Sequence, residues 1–277
     1  MMPKPDPVRR LTLAALLVSG LLAPALADTT DPVASLEAAI DGPQRTPAFR
    51  DRDVNRHPLQ ELTFFGLQPD MTVVEIWPGA GWWTEILAPY LQARGTYYVA
   101  PPERARLNEA GQNGYDKFVA KLEADPAIYG KVRMTTLWGD AFAIAPPGSA
   151  DLVVTFRNLH NWMAQGTAEA SLRAFYQALK PGGFLGIDDH RGRADRPQDP
   201  QAKDGYVRED YAIALAEKTG FKFAGRSEIN ANPRDTKDYP AGVWTLPPTL
   251  RLGDKDKEKY LAIGESDVFT LLFVKPY

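Results

Sequence analysis

The chain carries three histidines, and each falls near the predicted end of a strand or helix: His57, His160 and His190. Asn158, Asn161, Asp188, Asp189 and Arg191 stand close to two of them. An imidazole beside a carboxylate exchanges protons near neutral pH, so His160 with Asp188 or His190 reads as general acid/base apparatus. The same donors would also suit a divalent metal. Successive residues at a strand end split across both faces of the sheet, which favours acid/base use of Asp188-Asp189-His190 over a metal site.

A second concentration of chemistry is "TVVEIWPGAGWWTEILAPYL", Thr72 to Leu91. An apolar strand ends in an acid, Glu75, and runs through a glycine turn into a helix. Gly79 and Gly81 permit positive φ and close approach of a ligand to the backbone, so loop amides and the helix start can face a polar group. Glu75 is placed to take an amine or hydroxyl. Of the six tryptophans, Trp77, Trp82, Trp138 and Trp162 flank the strand ends that bear these polar residues, as an aromatic ligand pocket would require.

The elements that must position these groups follow from hydrophobic patterning. Strands are expected at Thr72–Ile76, Thr96–Ala100, Val132–Trp138, Asp151–Phe156 and Phe184–Asp188, separated by helices near Trp82–Gln92, Glu103–Ala124 and Thr167–Leu179. That alternation predicts an α/β, doubly wound, Rossmann-like sheet, mostly parallel, with helices on both faces. After a helix at Arg208–Thr219, strands at Phe221–Ile229 and Val268–Val274 lack a full crossover between them. They make seven strands in all and predict an antiparallel pair at one edge. The irregular stretch between them, with Trp244 in it, reads as a lid over Asn230 to Leu252.

Glu75, Gly79 and Gly81 match the acid-x-Gly-x-Gly-x-Gly motif after the first strand, and the sequence thereby resembles class I S-adenosylmethionine-dependent methyltransferases. "LWGDAF", Leu137 to Phe142, is similar to the segment after the third strand whose acid, here Asp140, meets the adenine amine. "ADLVVTFRNLHNW" resembles the fourth-strand motif, and "ALKPGGFLGIDDHR" the Lys-Pro-Gly-Gly turn into the fifth strand. Longer strings, including "SEINANPRDTKDYPAGVWTLPP", resemble a family of predicted exported bacterial methyltransferases, from about Asn55 to Pro276. The resemblance implies S-adenosylmethionine held by Glu75, Gly79, Gly81 and Asp140, and Trp77 and Asn158 at the same strand ends are candidates to line that site. It implies methyl transfer, for which the tryptophans suggest a small, aromatic acceptor, and His160, with Asp188 or His190, is the candidate for the proton work. Two positions depart from the pattern: Trp77 replaces the first glycine, and the ribose-binding acid is replaced by Ala100, with Glu103 three residues on. Those departures define the alternative, a methyltransferase fold that has lost its cofactor and binds a small ligand without chemistry.

Residues 1–27 have a basic start, an apolar run from Leu11 to Leu22 and Ala25-Leu26-Ala27 before Asp28. These are the three regions of a signal peptide, too short in its apolar run to serve as a stable membrane anchor, with cleavage expected after Ala27 and a periplasmic or secreted product. Residues 28–55 read as an N-terminal arm and 56–277 as the methyltransferase-like domain. There is no cysteine, which excludes disulfides, thiolate catalysis and zinc–thiolate sites. A formal net charge of −3, more acidic still without the leader, argues against nucleic acid as a partner, and the expected partner is a small-molecule substrate.

Overall fold

A computed structural model of the chain describes Met1, residues 31–138 and residues 143–277. The leader and Asp140 therefore lie outside the described residues. No helix among those described is long and apolar enough to cross a membrane.

Seven strands form one sheet: β1 (Thr72–Ile76), β2 (Thr96–Ala100), β3 (Arg133–Met134), β4 (Ala150–Phe156), β5 (Leu179–His190), β6 (Lys222–Ser227) and β7 (Val268–Val274). Their order is β3-β2-β1-β4-β5-β7-β6, with β7 alone antiparallel to its neighbours. The expected mostly parallel, doubly wound sheet with an antiparallel edge pair is present. The order reverses between β2-β1 and β4, which is where open α/β sheets form their ligand crevice.

Side chains alternate along the central strands and feed two apolar layers. Val73, Leu152 and Val154 point to one face, where they meet Leu36, Leu62, Ile86, Leu87 and Phe118 of the helices Pro32–Ile40, Pro58–Phe64, Thr84–Leu91 and Glu109–Ala124. Val74, Val153, Leu185 and Ile187 point to the other, against Trp162, Leu172, Phe175 and Ala212. The stretch read as an arm thus contributes Leu36, Ala39 and Ile40 to a core layer.

Several expected elements differ in extent: β5, expected over Phe184–Asp188, runs from Leu179 to His190, β6 is Lys222–Ser227 rather than Phe221–Ile229, and two others are shorter at their ends nearest the site. The third strand is only Arg133–Met134, and from Thr135 the chain instead hydrogen-bonds to Val99 O and, at Leu137, to Pro101 O beyond the end of β2. The helix expected from Glu103 starts at Glu109, because Pro101-Pro102 and a short 3-10 turn at Arg104–Arg106 precede its cap, Asn108, whose side chain accepts from Gly111 N at 2.9 Å.

Candidate active site

At the tip of β1 the turn Trp77-Pro78-Gly79-Ala80-Gly81 brings the chain into the helix Thr84–Leu91. Gly79 and Gly81 have φ of 58° and 85°, the left-handed region in which a side chain is strained. A Cβ on Gly81 would also stand 3.0 Å from the Phe118 ring. Trp77 holds φ 50° without being glycine. Its indole donates from Nε1 to Leu137 O at 3.0 Å, stacks on Trp138 and meets Trp162 edge-on. Trp77 therefore fills the ground between the turn and the segment leaving β3, and β2 ends in the fully buried Ala100, with no carboxylate there.

Glu75 lies beneath the turn, 1% exposed. Its Oε2 accepts from Thr84 Oγ1 at 2.7 Å and from the Tyr97 hydroxyl, whereas Oε1 has no partner among the described residues. Burial pushes its pKa up to about 7, against the two hydrogen bonds, which pull it down. Asn158, after β4, donates from Nδ2 to Ile76 O at 3.1 Å and to Thr155 Oγ1 at 3.1 Å, pinning the turn to the neighbouring strand. Around this point lies a cavity of about 270 Å³, lined by Glu75, Trp77, Gly79, Ala80, Arg56 and Asn158 among others. On the other side of Gly79 and Ala80 an apolar cavity of about 300 Å³ runs against Pro101, Tyr115 and Phe118.

The histidines sit at the tips of β4 and β5. His160, near the start of the helix Leu159–Gln165, places Nδ1 2.8 Å from Asp189 Oδ1, and its backbone N–H donates to Asp189 Oδ2 at 2.9 Å. Burial alone would raise Asp189, but the adjacent imidazole and backbone N–H of His160 hold it below the ordinary aspartate value. The carboxylate can only accept, so His160 carries its proton on Nδ1 and presents Nε2 as the basic atom. His190 Nδ1 meets Ser266 Oγ at 2.6 Å, and its ring centroid lies 5.2 Å from that of His160. Burial drops His190 to about 3, so it is neutral at physiological pH. Both imidazoles line a third cavity of about 300 Å³, roofed by Trp244, Pro247 and Pro248.

Strand alternation divides the two aspartates. Asp189 faces His160; Asp188 faces Arg157, whose Nε is 3.8 Å from Asp188 Oδ2, and it feels Arg56 and the buried Glu61. Burial raises Asp188 to about 6, opposed by Arg157 and Arg56. The carboxylate partner of His160 is thus Asp189 rather than Asp188. His57 lines none of these three cavities: its Nδ1 is 3.0 Å from Asn230 Oδ1, in a structural network with Glu61 and Thr270.

Ligating atoms of His160, Asp189 and His190 lie within 4.8 Å of one another. Both Asp189 oxygens are already engaged by His160 and by the His190 backbone N–H, so the carboxylate orients His160 instead of offering a free ligand.

Sequence patterning did not single out Arg52, Arg56, Arg157, Glu265 and Ser266. Arg52, Arg56 and Arg157 line both the Glu75 cavity and the histidine cavity. Glu265 accepts from Arg52 Nε at 2.7 Å, Arg52 Nη2 at 2.9 Å and Arg157 Nη1 at 2.9 Å. Burial works against its charge, but these arginines bring its pKa down to about 2.

No protein-family model matches the sequence, and no curated protein does. Solved structures do match. A SAM-dependent methyltransferase from Aquifex aeolicus is 16% identical over 88% of this chain and 98% of its own, with a TM-score of 0.52. The [4+2]-cyclase SpnF is 13% identical over 88% and 93%, with a TM-score of 0.55. A Haemonchus contortus phosphoethanolamine N-methyltransferase, solved with S-adenosyl-L-methionine, is 18% identical over 80% of this chain, with a TM-score of 0.53. This chain spans only 53% of that last protein. The chain has the Rossmann-like fold of the S-adenosylmethionine-dependent methyltransferases. One of these likenesses carries a cyclase name, a reminder that this fold does not by itself fix the reaction.

Proposed function

We propose that the protein is an S-adenosylmethionine-dependent methyltransferase acting on a small acceptor held in the histidine cavity. The observation that carries this reading is the adjacency of two sites: the Glu75 cavity at the glycine turn and the cavity of the His160–Asp189 pair share one wall, Arg52, Arg56 and Arg157.

The donor set fits the amino-acid end of the cofactor. Glu75 keeps one unpartnered oxygen for an amine, Gly79 and Gly81 leave the backbone approachable, and Asn158 fixes the turn. At the nucleoside end the chain offers aromatic and apolar surface, Trp77 with Trp138 and the wall of Pro101, Tyr115 and Phe118, in place of a ribose-binding acid. When bound, the cofactor supplies an electrophilic methyl group on a sulfonium. His160 Nε2 takes the proton from the acceptor's hydroxyl or amine, and Asp189 stabilises the imidazolium that results, a role worth on the order of 10²–10⁴ in rate. Trp244, edge-on to His160, keeps water from the acceptor.

A second reading, a non-catalytic binding protein on the same fold, is favoured by Trp77 in the glycine position and by the missing carboxylate at Ala100. Thermal unfolding with adenosylhomocysteine separates the two. At a hundredfold excess over its dissociation constant a specific ligand adds about 2.7 kcal/mol. A rise in Tm that is lost in Asp140→Ala supports the transferase, and no rise leaves the binding reading. The basic, apolar and small-residue regions of residues 1–27 support export with cleavage after Ala27, which N-terminal sequencing of the protein recovered from the periplasm or the medium tests.

A further inference from the structure

We infer that the arginine wall binds the acidic group, carboxylate or phosphate, of the small molecule in the histidine cavity, so the methyl acceptor is itself an anion. This rests on the acceptor site proposed above and adds the chemical class of its occupant.

Three guanidiniums converge here and only two ionised carboxylates answer them. Glu265 is saturated by Arg52 and Arg157. Asp188 sits on the other side of Arg157, beyond hydrogen-bonding range of its Nε at 3.8 Å. Glu61 is pushed up by burial and by Asp188, and burial pushes Glu75, which also lines this wall, up to about 7. Arg56 is left over. Among the described residues it has no hydrogen bond and no ion pair, only the face of Trp82 at 4.8 Å, and its Nε is buried without a partner. Burial and the neighbouring charges of Arg157 and Arg52 act against its protonated form, and Glu265 and Asp188, neither within ion-pair distance of it, only partly offset them. An arrangement that keeps a cation unpaired beside two others disfavours folding and is relieved by an anion, and a guanidinium fork suits carboxylate and phosphate alike. The histidine cavity is at the lower end of ligand-pocket volumes, with Trp244 offering a flat apolar wall to the rest of such a molecule.

The test is calorimetric titration of the full chain, without cofactor, with benzoate, inorganic phosphate and neutral benzyl alcohol, on wild type and Arg56→Gln. The expected result is binding of benzoate or phosphate but not benzyl alcohol, weakened at least tenfold in Arg56→Gln. The variant should melt no lower than wild type, because an uncompensated charge has been removed. A merely structural Arg56 would instead lower the melting temperature and leave anion affinity unchanged, which overturns the inference. So would equal binding of benzyl alcohol and benzoate. Competition between benzoate and adenosylhomocysteine would also overturn it, by giving Arg56 to the cofactor's carboxylate. Because the anions are titrated alone, failure of adenosylhomocysteine to bind counts against the transferase reading, and with it the occupant's role as methyl acceptor, without touching anion binding at the arginine wall.

Discussion

Glu75 and Trp77 show how two residues of one motif can have opposite consequences for the fold. Glu75 has a folded-state pKa of about 7 against an ordinary 4.5, with burial as the leading cause. Its contribution to stability is therefore complete below pH 4.5 and is lost as pH rises through 7, a swing of roughly 3 kcal/mol. Glu75→Gln should remove that swing, so urea unfolding of variant and wild type should diverge between pH 5 and 8, the variant gaining relative stability with pH. Trp77→Gly relieves a left-handed backbone, worth about 1–2 kcal/mol, but gives up the stack on Trp138. It should weaken adenosylhomocysteine binding in a direct titration by removing the aromatic surface at the nucleoside end; tighter binding would make the indole an obstruction and favour the non-catalytic reading. The glycine turn, Glu75 and the histidines were all legible in the sequence, because motif and chemistry there are contiguous. The choice between Asp188 and Asp189 needed the direction in which β5 points its side chains. Arg56 and Glu265 are separated by more than 200 residues, and nothing local connects them.

Among the elements, the loop that roofs the histidine cavity is held by close backbone approach. Val243 N donates to Asp204 O at 2.8 Å, and Gly242, at φ 58°, lies so near that a Cβ would stand 2.2 Å from Asp204 O. Gly205 is equally confined, its Cβ position 2.5 Å from Val243 Cγ1. Gly242→Ala should cost about 2–4 kcal/mol through overpacking and left-handed strain together. It should also displace Trp244 from His160, read as a shift in tryptophan emission at temperatures where the fold persists. The sequence marked this stretch as a lid from its proline and aromatic content. Its docking partners, Asp204 and Gly205, belong to a loop with no periodic signal, so the anchoring could come only from tertiary structure. The short third strand has a similar origin: β-branched residues favoured extension to Trp138, but the chain turns to bond with Pro101 beyond the end of β2.

For the molecule as a whole, the last strand is the keystone of one half of the sheet. β7 lies between β5 and β6, pairs with both, and buries Phe269, Leu271 and Phe273. Ending the chain at Asp267 should abolish cooperative unfolding, monitored by near-ultraviolet circular dichroism, since β6 would lose its one neighbour among the described strands and β5 one flank. The alternating sheet was legible because each central strand is an apolar run of its own. The insertion of β7 between β5 and β6 was not, since two antiparallel arrangements share the same pattern. Being antiparallel, β7 begins beside His190, bringing Glu265 and Ser266 to the cavity, and runs away from it toward Gly182 at the opposite end of β5. A bead, electrode or display scaffold attached at the fully exposed Tyr277 would therefore hold every molecule in the same orientation, its cavities turned outward to whatever solution flows past.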